Sequence, residues 1–323
     1  MSTLPIPPQS GEATLPLRAG HLPASVLIDL YMAHYAGRDT TRTQRLAFWR
    51  GAVGHLPFAE ISDDDIHAAR DRLAQQRGRV YSGLDAEGRA ILRAKRGPLS
   101  GPTLNRYTVA LSAVFTWAIR QRIAPRNFVN PVRAVPAYPE SEGRVRFLSD
   151  DERERLLAAC RASKWDRLWL LVMLAITTGA RRGELVGLRW RDVDLQRRVA
   201  SVARTKNGDP KVMPLVPVVM EELQRFANGA KPECLVFPGR LRAQHPMAFE
   251  DRWQQALKAA RVQRFRWHDL RHTCASYLAQ QGASLLEVAD VLGHKTVRMA
   301  ARYSHLSSGH RAALVERVMR DIR

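Results

Sequence analysis

Apolar residues recur at helical spacing through the first third of the chain: Val26, Leu27, Leu30 and Tyr31, then Leu46, Trp49 and Val53 beyond the turn-rich Gly37 to Thr41. Such stripes predict amphipathic helices that each bury one face. A third helix is expected to begin at Ser62-Asp63-Asp64-Asp65, where acidic side chains suit the positive end of a helix, and to continue through Ile66, Ala69 and Leu73. The strongest helix should follow Ser100-Gly101-Pro102, with apolar residues at Leu104, Tyr107, Leu111, Val114, Phe115 and Ala118. Between the third and fourth helices, Gly78 to Pro98 is longer than a typical connection and basic, with Arg79, Arg89, Arg93, Lys95 and Arg96 following Arg77. The pattern leaves open an ordered excursion or a mobile loop.

Residues 1–22, with Pro5, Pro7, Pro8 and Pro16 among small polar residues, read as a flexible leader, and 23–130 as one helical domain. The stretch 131–147 has the prolines and lack of period of a linker. A second domain, 148–309, opens at Ser149-Asp150-Asp151-Glu152, a capping box in which serine and glutamate satisfy each other's helix-end amides. An apolar helix from Trp165 to Thr177 is interrupted at Gly179, so that Arg181 emerges where the chain turns. Val199–Thr205 and Val212–Leu215 are β-rich and flank Asn207-Gly208-Asp209, a hairpin signal. Ser284-Leu285-Leu286-Glu287 is another capping box, its helix stopping at Gly293, and Thr296 is placed to cap a short helix after it. In 310–323, Leu314, Val315, Val318, Met319 and Ile322 form one further apolar stripe, which must be buried against something.

Charge narrows the choice of partner. The formal net charge is +20 and the pI about 10.9, with Lys and Arg distributed along the whole chain, as expected if both domains face a polyanion such as nucleic acid. Cys160, Cys234 and Cys274 lack metal-ligand spacing and cannot all pair within one chain, which predicts a reducing compartment. The longest apolar run, Leu168 to Ile176, is too short for a bilayer, and residues 1–23 lack a signal-peptide pattern. A soluble cytoplasmic, nucleoid-associated protein without a membrane partner is expected.

Candidate chemistry then appears in a fixed order: Thr178-Gly179-Ala180-Arg181, His268-Asp269-Leu270-Arg271, Leu292-Gly293-His294 and Arg302-Tyr303. Guanidiniums stay charged and can hold two non-bridging phosphate oxygens each, imidazoles can hydrogen-bond or move protons, and a phenol can become a covalent nucleophile. His268 and Arg271, three apart at an expected helix start, share a face there. His272 is expected to point elsewhere on that helix, and Glu184 to orient the arginine turn. Neither a nucleotide-binding loop nor a metal-ligand cluster is present in the sequence, so no cofactor and no metal is expected.

In the joint order and separation of these motifs the chain, from roughly residue 22 onward, resembles the tyrosine recombinase, or phage integrase, family. The resemblance implies a mainly α fold with a small antiparallel β-sheet: an N-terminal helical core-binding (SAM-like) domain plus a C-terminal α/β catalytic domain, forming a clamp around DNA. It implies that Arg181, His268, Arg271 and His294 hold the scissile phosphate and that Tyr303 attacks it, giving a 3′-phosphotyrosyl link and a free 5′-hydroxyl. Lys206 matches the family's β-hairpin lysine, the proton donor for the leaving oxygen, with Lys211 across the turn as substitute. Asn105, Arg106, Arg120 and Arg122, on the polar face and end of the fourth helix, are the candidate DNA contacts. The implied partners are double-stranded DNA with core-type recombination sites, further copies of the chain in a tetramer on two sites, and accessory DNA-bending or directionality proteins. The leader is too short for the additional arm-binding domain of many phage integrases, which favours simple core sites. The terminal stripe implies docking into a neighbouring protomer, with folding back on its own domain as the alternative. A type IB topoisomerase-like enzyme and a DNA-binding protein with a decayed site remain rivals, as does a metal-dependent nuclease.

Overall fold

The computed structural model describes residues 17–84, 90–140, 144–203, 210–240, 242–307 and 315–320. The chain divides into two compact units, Met1–Gly143 and Arg144–Arg323.

The first unit is built on α1 (Ala24–Ala33), α2 (Arg42–Val53), α3 (Asp63–Ala74) and, after a strand pair, α4 (Gly101–Arg120). Their apolar stripes meet in one core: Leu27, Ile28 and Tyr31 from α1, Leu46, Trp49 and Val53 from α2, Ile66 and Ala69 from α3, and Leu111, Val114, Phe115 and Ala118 from α4. The Trp49 indole donates to the Tyr107 carbonyl at 2.8 Å, so even the polar edge of that buried ring is satisfied. α3 starts at a complete capping box, Ser62 with Asp65.

Two features of this unit depart from expectation, and a third takes one of the two forms its pattern left open. Residues 18–22 are not free leader: the Arg18 and Ala19 amides donate to the Arg122 and Ile123 carbonyls, and the Phe58 amide donates to Leu22. Residues 1–16 lie outside the described residues. The basic 77–98 segment is a hairpin, β1 (Arg77–Leu84) against β2 (Ala90–Pro98), antiparallel with Tyr81 opposite Leu92. Its register shifts twice, between Arg77 and Arg79 and between Tyr81 and Gly83, which breaks the regular alternation by which strands are read. Finally, much of 131–147 is fixed rather than linker-like. Asn130 caps a 3-10 turn at Pro131–Ala134, Arg70 donates to the Pro136 carbonyl, and Asn105 brackets Tyr138. Proline-rich segments can be held through their carbonyls by side chains distant in sequence, which no local pattern reveals.

The second unit is organised around α6 (Leu168–Thr178), which follows α5 (Asp150–Arg161) and is buried on nearly all sides. The Ser149–Glu152 capping box starts α5, and Arg146 pairs with the same glutamate. α6 begins after Trp165, which is itself buried against Phe237 and Phe249. After the short α7 (Arg182–Val186), β3 (Val193–Asp194), β4 (Val199–Val202) and β5 (Lys211–Pro214) form an antiparallel sheet in that order, with Val202 opposite Lys211. The turn Asn207-Gly208-Asp209 lies outside the described residues. Then come α8 (Pro217–Ala227), α9 (Glu250–Ala259), α10 (Asp269–Gln280), α11 (Leu285–Leu292) and two 3-10 segments, Val297–Met299 and Ala301–Ser307. Residues 315–319 are helical, with Val315, Val318 and Met319 exposed; Leu314 and Ile322 fall outside the described residues. The fold is thus mainly helical with small antiparallel sheets. No helix among the described residues is long and apolar enough to cross a membrane.

Candidate active site

Where α6 ends, Gly179 takes a left-handed conformation at φ 57°. A Cβ there would sit 2.3 Å from Leu292 Cδ2, so glycine is required both by the backbone and by the close approach of α11. The turn leaves Arg181 at the N-cap of α7, where Glu184 takes its backbone amide at 2.9 Å and its guanidinium at 2.8 Å. One buried carboxylate therefore fixes the arginine at both ends.

α10 brings the second arginine to the same turn. Arg271 is 5% exposed and donates to the Gly179 carbonyl at 2.6 Å, while the Lys211 ammonium donates to the Thr178 carbonyl at 3.1 Å. Two cations thus occupy the carbonyl end of α6, the end its dipole makes negative. The start of α10 is held in turn by Asp269, whose carboxylate accepts from Arg144 and from the Arg266 amide, each at 2.8 Å.

α11 ends at Gly293, again left-handed at φ 64°, and this stop sets the position of His294. Its capping box, Ser284 with Glu287, is complete. The Thr296 side chain makes no cap bond, contrary to expectation; the next turn closes through backbone alone, with Met299 donating to the Thr296 carbonyl. The following 3-10 segment buries Tyr303 to 2% exposure.

There the phenol oxygen lies 2.6 Å from Nδ1 of His272. This corrects the expectation that His272 points away. His268 and His272 are four apart, a spacing that puts both rings on one helix face, and their centroids lie 5.3 Å apart at right angles.

Arg181, His268, Arg271, His294 and Tyr303 line one cavity of about 140 Å³, together with His272, Met299 and Arg302. An adjoining cleft of about 640 Å³ runs past Arg181 and His268 to Arg182, Gly187 and Val202. Lys206 lies outside the described residues. Of the candidate contacts in the first unit, Arg106, Arg120 and Arg122 are exposed. Asn105 is committed to its own fold through Tyr138 and Glu140, so its carboxamide is not a free contact group. Tyr277 donates to the Leu148 carbonyl and is packed, not poised. Lys211, the substitute donor, is buried near Arg271, and Arg302, to which the sequence assigned no role, joins the lining of the cavity.

The electrostatics of the cavity are one-sided. Burial, reinforced by Arg181, pushes Arg271 down to about 10, and burial with Arg271 nearby pushes Lys211 down to about 8. Burial and then Arg271 lower His268; burial and then Arg271 and Arg181 take His294 down to about 4. Burial and the neighbouring His268 likewise bring His272 to about 4. Burial raises the Tyr303 phenol, opposed by Arg302 and Arg271. The nearby acids are engaged, Glu184 by Arg181 and Asp269 by Arg144. Nδ1 of His294 is buried with no hydrogen-bond partner among the described residues. Concentrated positive charge, an unpartnered imidazole nitrogen and a phenol make a place for a small oxyanion with an electrophilic centre.

The profile of the phage integrase family matches residues 146–310. A shufflon-specific DNA recombinase of Escherichia coli is 30% identical over 210 residues, covering 65% of this chain and 52% of that protein. The type 1 fimbriae regulatory protein FimE of Escherichia coli K12 is 30% identical over 181 residues, 53% of this chain and 91% of its own length. The chain therefore spans about half of the first relative and nearly all of the second. Among solved structures, the Tn1549 transposon integrase in complex with a circular intermediate DNA superposes with a TM-score of 0.68 at 18% identity, over 92% of this chain and 99% of that one.

Proposed function

Because this chain belongs to the phage integrase family, we propose that it is a site-specific DNA recombinase that cuts and rejoins DNA through a 3′-phosphotyrosyl intermediate. Arg181 and Arg271 hold the non-bridging oxygens of the scissile phosphate, and His268 and His294 hydrogen-bond to it as charge grows on the five-coordinate phosphorus. Tyr303 attacks, the 5′-oxygen leaves, and a 5′-hydroxyl from a partner duplex later displaces the tyrosine. The phosphoester bond energy is conserved in the covalent link. The observation that supports this most is that Tyr303 opens into the same small cavity as both arginines.

The donor to the leaving oxygen is Lys206, with Lys211 as its substitute. The Lys211 ammonium, buried and pushed down to about 8, is a competent acid near neutral pH. The partner is duplex DNA carrying core-type sites, gripped by an N-terminal core-binding domain (23–130) and a C-terminal catalytic domain (148–309) and acting as a tetramer in the cytoplasm at the nucleoid, with accessory bending or directionality proteins. Exposed Val315, Val318 and Met319 support docking of the terminal helix into a neighbouring protomer. Removing residues 310–323 should leave DNA binding intact and weaken synapsis.

Two duplexes carrying candidate core sites from the DNA flanking the gene provide the test. Recombinant junctions should form with the wild type and not with Tyr303→Phe. Relaxation of a supercoiled plasmid lacking any site, without junctions, would favour topoisomerase activity instead.

A further inference from the structure

Attack by a phenol requires that its proton go somewhere, and the cavity offers few acceptors. Arg181, Arg271 and Arg302 carry donors only. The group in contact with the phenol oxygen is His272, with Nδ1 at 2.6 Å and the ring 51° from the plane of the tyrosine. The histidine is 8% exposed, so water does not readily replace it.

We propose, on the premise of the recombinase reading above, that His272 is a further catalytic residue: its Nδ1 accepts the Tyr303 proton as the phenol attacks. The step balances as follows. The Tyr303 O–H bond breaks and its proton passes to His272; the phenol oxygen forms a bond to phosphorus; the phosphorus–5′-oxygen bond breaks; and the departing oxygen takes a proton from the donor amine. On rejoining, the attacking 5′-hydroxyl bonds to phosphorus and gives its proton to the amine left neutral by cleavage, the phosphorus–phenol oxygen bond breaks, and the His272 imidazolium returns a proton to the departing phenolate.

The surroundings explain why this proton stays in place until DNA arrives. His268 and Asp269 face His272 from the start of its own helix, Arg271 adjoins it, and Arg302 and Tyr303 approach from the 3-10 segment. Burial and the positive charge of Arg302 and Arg271 keep the imidazole neutral and a poor base at rest. In the tautomer protonated on Nε2, Nδ1 accepts the phenol hydrogen bond without taking the proton. A scissile phosphodiester in the cavity adds a negative charge that offsets these cations and raises the basicity of His272, while bonding to phosphorus acidifies the phenol. The same contact therefore restrains the nucleophile in the free protein and activates it on DNA.

The test compares the full-length wild type with His272→Asn and His272→Ala in single-turnover cleavage of a nicked core-site duplex between pH 5 and 9. Asparagine keeps an acceptor near the Nδ1 position and cannot take up a proton. Both variants should bind the duplex within about threefold of the wild type yet cleave it roughly 10²–10⁴-fold more slowly, the usual worth of a general base. Added imidazole should restore part of the rate to His272→Ala and none to His272→Asn, and a 5′-thio leaving group, which needs no acid, should rescue neither. A variant that binds normally and cleaves within threefold of the wild type overturns the proposal, as does rescue of both by the 5′-thio substrate. If His272→Ala melts below the assay temperature, His272→Asn alone decides. Failure of the recombinase reading is recognised separately, because the wild type then forms no covalent complex.

Discussion

The two units differ in how they bury cationic side chains. In the first, Arg70, Thr108 and Asn130 are buried, and each is joined to its own fold: Arg70 to the Pro136 carbonyl and the face of Tyr138, Thr108 to the Leu104 carbonyl, Asn130 to Ser112 and Val132. These contacts pin loops to helices. In the second, Lys211 and Arg271 are buried beside each other and beside Arg181, and the neutral His272 lies beside Arg271 and Arg302, so the neighbours of each buried cation include further cations. Folding alone gains nothing from that arrangement, and the lowered proton affinities express its cost. Groups of both kinds find hydrogen-bond partners within the fold; what separates them is charge, because the cations of the second unit crowd one another and an anionic ligand would offset that crowding.

The largest effect that can break this contrast comes from deleting one arginine in each unit. Arg271→Met should slow cleavage by at least about 10²–10³-fold, the worth of a lost oxyanion donor. Its cost to hydrogen-exchange protection of the second unit should be smaller than the charge's burial alone would suggest, since the Gly179 carbonyl loses its donor but the crowding of Arg271 against Arg181 and Lys211 is relieved. Arg70→Met should do the reverse, lowering protection of the first unit by about 1–3 kcal/mol as the Pro136 carbonyl is orphaned, with the cleavage rate of bound complex unchanged. Equal stability losses in both would erase the distinction.

An intermediate effect is set by pH. His272 and His294 are held near 4 by burial and neighbouring positive charge, whereas in the unfolded chain a histidine titrates near about 6.5. Between these values the unfolded state binds more protons, so the stabilisation is complete above about 6.5 and is lost as pH falls toward about 4. Exchange protection in α10 and α11 should therefore weaken on acidification through that window, and His294→Asn should flatten the slope. Protection independent of pH would show that the imidazoles are not held neutral. The smallest effect is one on which the units should agree: Ser62→Ala and Ser284→Ala each remove a capping box and should each cost about 1 kcal/mol, measured as the change in unfolding midpoint.

Much of the site was legible because its parts carry local signatures. Gly179 and Gly293 end helices in left-handed conformations, and the Ser149 and Ser284 boxes start them. The arginines, histidines and tyrosine follow at spacings that a resemblance can carry. What was missed depends on partners far away in sequence. Lys211 is buried because its ammonium meets a carbonyl 33 residues earlier, and His272 matters because a 3-10 segment 31 residues later lays a phenol on its ring. Asn105 looked like an exposed reader of DNA on its helix, yet Tyr138 and Glu140 claim it. The 77–98 hairpin escaped because its shifted register hides the alternation of paired strands.

The central claim, that Tyr303 becomes joined to DNA within a cavity of converging cations, is tested most directly by trapping protein on a nicked core-site duplex and mapping the linked peptide by mass spectrometry. A denaturant-resistant complex with a 3′-phosphate on Tyr303 is expected, formed equally well in EDTA and absent from Tyr303→Phe although that variant still binds the duplex. A link to another residue, or covalent complex formed by Tyr303→Phe, would contradict it.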